Sequence, residues 1–256
     1  MILALDIGNS RIKAGISLNE TVSCFAADTR PLRNAADYLN DFNIPGPVEG
    51  VVLSSVVEEL TERFREFSIT QWGCEPVVVD HLLDTGLSYA VRNPEKIGPD
   101  RIANAAGSYY SGNGPSIVVD LGTATTITVV GRGASFLGGS ILPGALMMAE
   151  SLAEKTSKLP CVDLVLPRSV IGKDTQENIQ SGIFFGIAGA VERAVEEIRK
   201  DIKYPMKVLL TGGLCEVFRG LIRNADVIDP LLTMKGLFLI HQRIQSRTSR
   251  AAIDSP

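Results

Sequence analysis

Short apolar runs alternate along this chain with longer stretches whose apolar positions recur every three or four residues. Residues 2–5 (Ile-Leu-Ala-Leu) form one run, which ends at Asp6. Residues 51–57 and 76–80 are short, valine-rich and nearly continuous, the pattern of strands buried on both faces. Residues 116–130 hold two such runs broken at Gly122-Thr123, and 207–211 give another that ends at Thr211-Gly212-Gly213. In 183–198, Ile183, Ile187, Val191, Val195 and Ile198 fall on one face of a helix. Upstream, Asp174 with Glu177 three residues later has capping-box spacing and marks that helix's start. Strands alternating with helices predict an α/β fold. The break Ser111-Gly112-Asn113-Gly114-Pro115 runs straight into a strand and sets a boundary between two domains, 1–114 and 115–231. A C-terminal helix over 232–246 is expected to pack back on the first domain, with 247–256 a frayed tail. The tail's Arg243, Arg247 and Arg250 read as a solvated end rather than a binding site.

The two domains echo one another. Leu3-Ala4-Leu5-Asp6-Ile7-Gly8-Asn9-Ser10 is followed by Ile12-Lys13, and Ile117-Val118-Val119-Asp120-Leu121-Gly122-Thr123-Ala124-Thr125 by Ile127. Each copy is an apolar strand, Asp, an apolar residue, Gly, small polar residues and a second strand. Gly122 lies 114 residues after Gly8. A glycine after a strand lets backbone come close to a ligand, and the N–H groups that follow can cradle an anion. Asn9, Ser10, Thr123 and Thr125 add uncharged donors, and Lys13 adds a point charge suited to phosphate. An aspartate at a strand end can hold a hydrated cation. The chain has no P-loop motif, and Gly131-Arg132-Gly133 has Phe136 where a dinucleotide fingerprint needs its third glycine.

Composition narrows the function classes. The 256 residues carry 25 Lys plus Arg against 29 Asp plus Glu, so no basic excess points to nucleic acid. The four cysteines contain no C-x-x-C pair and read as reduced thiols. With His81 and His241 alone, a histidine-based metal site or hydrolase has little to work with. No apolar run approaches membrane-spanning length, and the N-terminus lacks a basic, signal-like start, so a cytoplasmic location is expected. The 24 glycines are mildly enriched and matter by position.

These hairpins, with the late Thr211-Gly212-Gly213, resemble the phosphate and adenosine motifs of the acetate and sugar kinase/heat-shock ATPase/actin superfamily. Within it, the chain is most similar to type III pantothenate kinases through Asp6–Lys13, Gly98-Pro99-Asp100-Arg101, Asp120-Leu121-Gly122-Thr123-Ala124-Thr125 and Gly172-Lys173-Asp174-Thr175. The resemblance spans residues 1 to about 240 with the motifs in the family's order. It implies two related actin-like (ribonuclease H-like) α/β domains flanking an ATP cleft, and phosphorylation of pantothenate to 4′-phosphopantothenate, the first step toward coenzyme A.

The resemblance also implies roles. Asp6, Ile7, Gly8, Asn9, Ser10, Arg11, Ile12 and Lys13 bind ATP, joined by Thr123. Asp6 also positions Mg2+ through water. Asp100 is the catalytic base. Gly98, Pro99, Asp100, Arg101 and Thr175 bind pantothenate, Thr175 from across a homodimer interface, and the apolar run 136–143 is a candidate for that interface. Asp120 holds a monovalent cation, K+ or NH4+. The substrates are ATP and pantothenate, with neither nucleic acid nor membrane as partner.

Independently of the family, a positioned carboxylate suits an alcohol nucleophile, and Arg101 suits a substrate carboxylate. Two positions depart from the family pattern. Ser10 stands for the usual threonine, and Val91 stands for a tyrosine that touches pantothenate. Tyr89, two residues earlier and on the same face of an extended segment, is the candidate replacement. Two other functions stay open on the sequence: a non-catalytic transcription accessory factor of the same family, and a superfamily kinase acting on another small alcohol.

Overall fold

The computed structural model describes residues 1–18, 21–30, 32–44 and 47–253, with 18, 21, 22 and 248–253 described by backbone alone. The chain divides into two units. The first is Met1–Gly112, Gly133–Phe136 and Leu231–Pro256, and the second is Asn113–Arg132 with Leu137–Pro230.

The first unit begins with a meander, β1 (Ile2–Ile7), β2 (Arg11–Leu18) and β3 (Thr21–Asp28). Next come α1 (Ala35–Asp41), β4 (Gly50–Ser55), α2 (Glu58–Trp72) and β5 (Val77–Val78). The two-residue strand β6 (Ser88–Tyr89) and α3 (Pro99–Ser108) follow. The sheet order is β3-β2-β1-β4-β5, with β1 antiparallel to β2 and parallel to β4.

Alternation along β1 explains its unbroken apolar run. Leu3, Leu5 and Ile7 pack with Tyr38 and Phe64 from the α1 and α2 side. Ala4 faces the other way, into a cluster with Val52, Ile102 and Leu237. The expected strand 51–57 stops at Ser55, because Val57 N–H donates to Ser55 Oγ (3.1 Å) and Val57 becomes the N-cap of α2. Of 76–80, only Val77 and Val78 pair.

The second unit repeats the plan. Its elements are β7 (Ser116–Leu121), β8 (Ala124–Val130), β9 (Ser135–Pro143), α4 (Ala145–Lys155), α5 (Thr175–Asp201), β10 (Lys207–Thr211), α6 (Cys215–Phe218) and β11 (Val227–Ile228). The sheet order is β11-β10-β7-β8-β9-β6, with β7 antiparallel to β8 and parallel to β10. Both units are therefore a three-strand meander followed by a helical crossover to a strand on the meander's other side. Residues 133–136, expected in the second domain, go with the first unit, where Ser135 and Phe136 pair in parallel with Ser88 and Tyr89.

The last helix, α7 (Leu232–Ile253), belongs to the first unit and crosses α3 where two glycines meet. A Cβ on Gly236 would overlap the Ala103 carbonyl, and one on Gly107 would meet Leu232 O at 2.7 Å. Thr233 Oγ1 donates to buried Asn104 Oδ1 across that contact (2.8 Å). The helix passes 246, where a frayed tail is expected, and 254–256 lie outside the described residues.

Candidate functional site

The first hairpin closes on a tight turn. Ile7 and Ile12 are its last paired residues and are buried in the core. Gly8 N–H donates to Arg11 O (3.0 Å), and a Cβ on Gly8 would sit 3.1 Å from that oxygen. From outside, Thr29 braces the turn: its Oγ1 donates to Gly8 O (2.7 Å) and its N–H to Ser10 O (2.9 Å). Asn9, Ser10 and Arg11 are left exposed at the tip. One step below, Asp6 faces Lys13 across the antiparallel pair and Ser54 across the parallel one. Ser54 Oγ donates to Asp6 Oδ1 (3.0 Å) and fixes the carboxylate. The hairpin thus presents a carboxylate, an ammonium and exposed small polar residues on one rigid frame. Ser54 and Thr29 had no mark in the sequence, because strand pairing alone brings them there.

The second hairpin has the same frame and different neighbours. Leu121 and Thr125 are its last pair, so its turn is one residue shorter. Asp120 faces Thr126 on one side and Thr211 on the other. Gly122 N–H donates to Ala124 O (3.2 Å), and Gly144 N–H to Thr123 O (3.1 Å). Gly212 has φ +89°, and a Cβ there would lie 2.4 Å from Asp120 Oδ1 and 2.6 Å from Leu121 N. Glycine is therefore required at 212 on two grounds, conformation and space. The Thr211 hydroxyl is fully buried, with no hydrogen-bond partner among the described residues. Thr123 is exposed at the turn.

Gly98, Pro99, Asp100 and Arg101 form the N-terminus of α3, with Gly98 as N-cap and Pro99 as first residue. Asp100 is half-buried in the first turn, where a carboxylate is favoured by the helix dipole. A Cβ on Gly98 would come within 2.4 Å of Asp100 Oδ1, so glycine gives the carboxylate its room. Arg101 extends over the Phe136 ring, 5.3 Å from its centroid. Burial pushes its guanidinium pKa down, and the Asp100 charge opposes that. Tyr89 stacks obliquely on the same ring (centroids 6.1 Å apart), with its hydroxyl 3.3 Å from Thr85 Oγ1. Burial pushes the Tyr89 phenol pKa up. Arg101, Phe136 and Tyr89 therefore form one aromatic and cationic wall next to Asp100, in which Phe136 stands as a wall member rather than only as the start of the candidate interface run.

Thr175 belongs to the second unit, exposed as the first residue of α5. The helix starts as expected, with Asp174 accepting from Glu177 N–H (2.8 Å). Glu177 returns the bond to Lys173 N–H (2.7 Å) rather than to Asp174. Among the described residues, no group of three or more His, Cys, Asp or Glu could hold a metal ion, and no helix is long and apolar enough to cross a membrane.

The family profile described as type III pantothenate kinase matches residues 2–197. A type III pantothenate kinase of Roseiflexus sp. is 37% identical over 255 residues, covering 96% of this chain and all of the relative. The crystal structure of a conserved Campylobacter jejuni protein, proposed to be a Baf family transcriptional activator, superposes with a TM-score of 0.61 at 20% identity, covering 95% of this chain and 99% of that one. A ROK family glucokinase from Streptomyces griseus, solved with glucose and AMPPNP, gives a TM-score of 0.53 at 16% identity, covering 94% and 98%. These likenesses show the fold, two α/β actin-like ATPase domains shared with sugar kinases.

Proposed function

The chain belongs to the type III pantothenate kinase family, and from that premise we propose which of its residues carry each part of the ATP-dependent phosphorylation of pantothenate, a step of coenzyme A biosynthesis. The observation that carries the assignment is the paired Asp-x-Gly hairpins on two sheets of one strand order, in a chain whose family match runs through both.

In this reading, the turn Gly8–Arg11 and Lys13 hold ATP phosphates, with Ile7 and Ile12 contributing backbone only, since their side chains are core. Thr123 contacts ATP from the second hairpin. Asp100 accepts the proton of the pantothenate primary hydroxyl as that oxygen bonds to the γ-phosphorus and the bond to the ADP oxygen breaks. Phosphoryl transfer is mostly positioning and charge neutralisation, and the base contributes about 10²–10⁴-fold. Gly98 and Pro99 shape the loop that presents it. Arg101 pairs with the pantothenate carboxylate, and Tyr89 replaces the tyrosine missing at Val91. Thr175 reaches pantothenate from a partner subunit. Exposed Ile141, Leu146 and Met147 support a homodimer of this chain.

The residues also fit the family's metals. Asp6 offers one oriented carboxylate, which suits Mg2+ because that ion keeps most of its water and leans on phosphate oxygens. When bound with ATP, Mg2+ supplies charge neutralisation at the phosphates. Asp120 and the orphaned Thr211 hydroxyl, adjacent in parallel register, are oxygen donors of the kind a K+ or NH4+ ion takes. A kinase drawing on ATP and a small metabolite is assigned to the cytoplasm.

The test is ADP release with pantothenate and with other small alcohols, in K+ and in Na+ buffer, for wild type and Asp100→Asn. Pantothenate-dependent turnover in K+ is expected, lower by about 10²–10⁴ in the variant. Turnover with another alcohol alone, or a wild-type rate in Asp100→Asn, would refute the assignment.

A further inference from the structure

Upstream of Tyr89, the loop 80–87 is gripped by the end of α7. Asp84 Oδ1 accepts from Arg243 Nε at 3.2 Å and from Gly86 N–H at 3.2 Å. Its Oδ2 is buried and makes no hydrogen bond among the described residues, but it meets the Arg247 guanidinium as an ion pair. Gly86 has φ +79° and no room for a Cβ, which would overlap Tyr110 Oη and crowd Arg243. Tyr110 Oη donates to Gly86 O (2.6 Å), so the loop is pinned from α3's end as well. The next side chain along, Thr85, is buried, and its hydroxyl meets the Tyr89 hydroxyl. A continuous set of contacts therefore runs from Arg243 and Arg247 through Asp84 and Thr85 to Tyr89, and on to the Phe136 ring that Arg101 also covers.

We infer that Arg243 and Arg247 are positioning residues: by holding Asp84 they fix the Thr85–Tyr89 pair against which pantothenate is bound. The inference rests on the assignment of the Tyr89–Arg101 wall to pantothenate. The expected solvated end of the chain is thereby given a task inside the first unit. Two arginines on one half-buried carboxylate exceed what a surface pair needs, since exposed pairs contribute little. Their spacing of four residues on α7 puts both on one face.

The test is steady-state kinetics of the full chain with Arg243→Ala plus Arg247→Ala, with Thr85→Val, and with all three changes together. The double-arginine variant is expected to raise KM for pantothenate about tenfold while kcat and KM for ATP stay within about twofold. Thr85→Val is expected to do the same, and the triple variant to be no worse than either, since residues acting in series are not additive. Arg243→Lys plus Arg247→Lys restores most of the affinity; if the double-alanine variant does not fold, Arg247→Ala alone, which leaves the Arg243 hydrogen bond in place, serves as the test and is expected to raise KM for pantothenate in the same direction. A second readout needs no substrate: the Tyr89 phenol, identified by its loss in Tyr89→Phe, should titrate lower in the arginine variant as the loop admits water. An unchanged KM for pantothenate in a folded variant, additive effects, or a phenol that moves without KM would each overturn the inference. A wild-type protein without pantothenate turnover would instead refute the substrate reading, and the phenol titration still separates the two.

Discussion

Asp6 and Asp120 stand at the same place in two sheets of the same strand order, yet the side chains facing them differ. Opposite Asp6 is Lys13, and beside it Ser54 holds one carboxylate oxygen. Opposite Asp120 is the uncharged Thr126, and beside it are the buried Thr211 hydroxyl, without a hydrogen-bond partner among the described residues, and Gly212, packed against an Asp120 carboxylate oxygen. The first turn is longer and braced from outside by Thr29; the second is shorter and backed by Gly144 and Gly212. The strand–Asp–x–Gly frame is set by pairing register and is common to both. On the proposed assignment, what the frame binds is set by one cross-strand neighbour: Lys13 beside Asp6 suits phosphate, and Asp120, faced only by uncharged Thr126 and Thr211, suits a cation.

Substitution of the two facing residues tests this difference most strongly. Lys13→Met is expected to lower kcat/KM for ATP by about 10²–10³, the scale for removing a preorganised charge donor. Thr126→Ala should change it by no more than about threefold. Equal losses would break the comparison. Glycine replacement comes next. Gly212→Ala forces a positive φ and an overlap with Asp120, for an expected cost of about 2–4 kcal/mol in urea unfolding. Gly8→Ala meets one carbonyl oxygen at 3.1 Å and should cost about 1 kcal/mol.

The carboxylates themselves sharpen the point. If Asp120 holds the cation as proposed, wild type is expected to be faster in K+ than in Na+, and Asp120→Asn to abolish that difference at a rate loss of about tenfold. Asp6→Asn should keep that dependence and raise the Mg2+ needed for half-maximal rate.

The smallest effect concerns acid. Both histidines lie in the first unit, and burial pushes the His241 pKa down. A depressed histidine stabilises the folded state above its unfolded value near 6.5 and loses that contribution as pH falls, by at most about 1.4 kcal/mol per unit. Amide exchange at pH 8 and pH 5.5 should show β1, β4 and α7 weakening, with β7 and β10 less affected. His241→Leu should remove the difference.

Much of this was legible in the sequence because the informative features are local. The hairpins show as a repeated string, β7, β8 and β10 as apolar runs, and α5 by its spacing and cap. The helix α2 escaped because its buried residues, Leu60, Phe64 and Ser68, sit among charged ones and one is polar. The strand β3 escaped because it is largely exposed. Non-local contacts had no trace: Ser54 reaches Asp6 by parallel pairing, and Asp84 meets Arg243 across 159 residues. A cluster of tail arginines reads as solvated until the opposing carboxylate is seen.

The placement of α7 has a consequence for how the protein is made. Residues 113–230 contain the whole of the second unit, interrupted only by 133–136, whereas the first unit lacks its α3 partner until residues 231–253 emerge. Domains generally fold as units in the order of synthesis. Here the order is inverted: the half translated first waits, with Ile102 and Ala106 uncovered, for the half translated last to be finished. A chain whose residues up to 230 have left the ribosome and whose α7 has not would thus hold a completed second unit and an open first one.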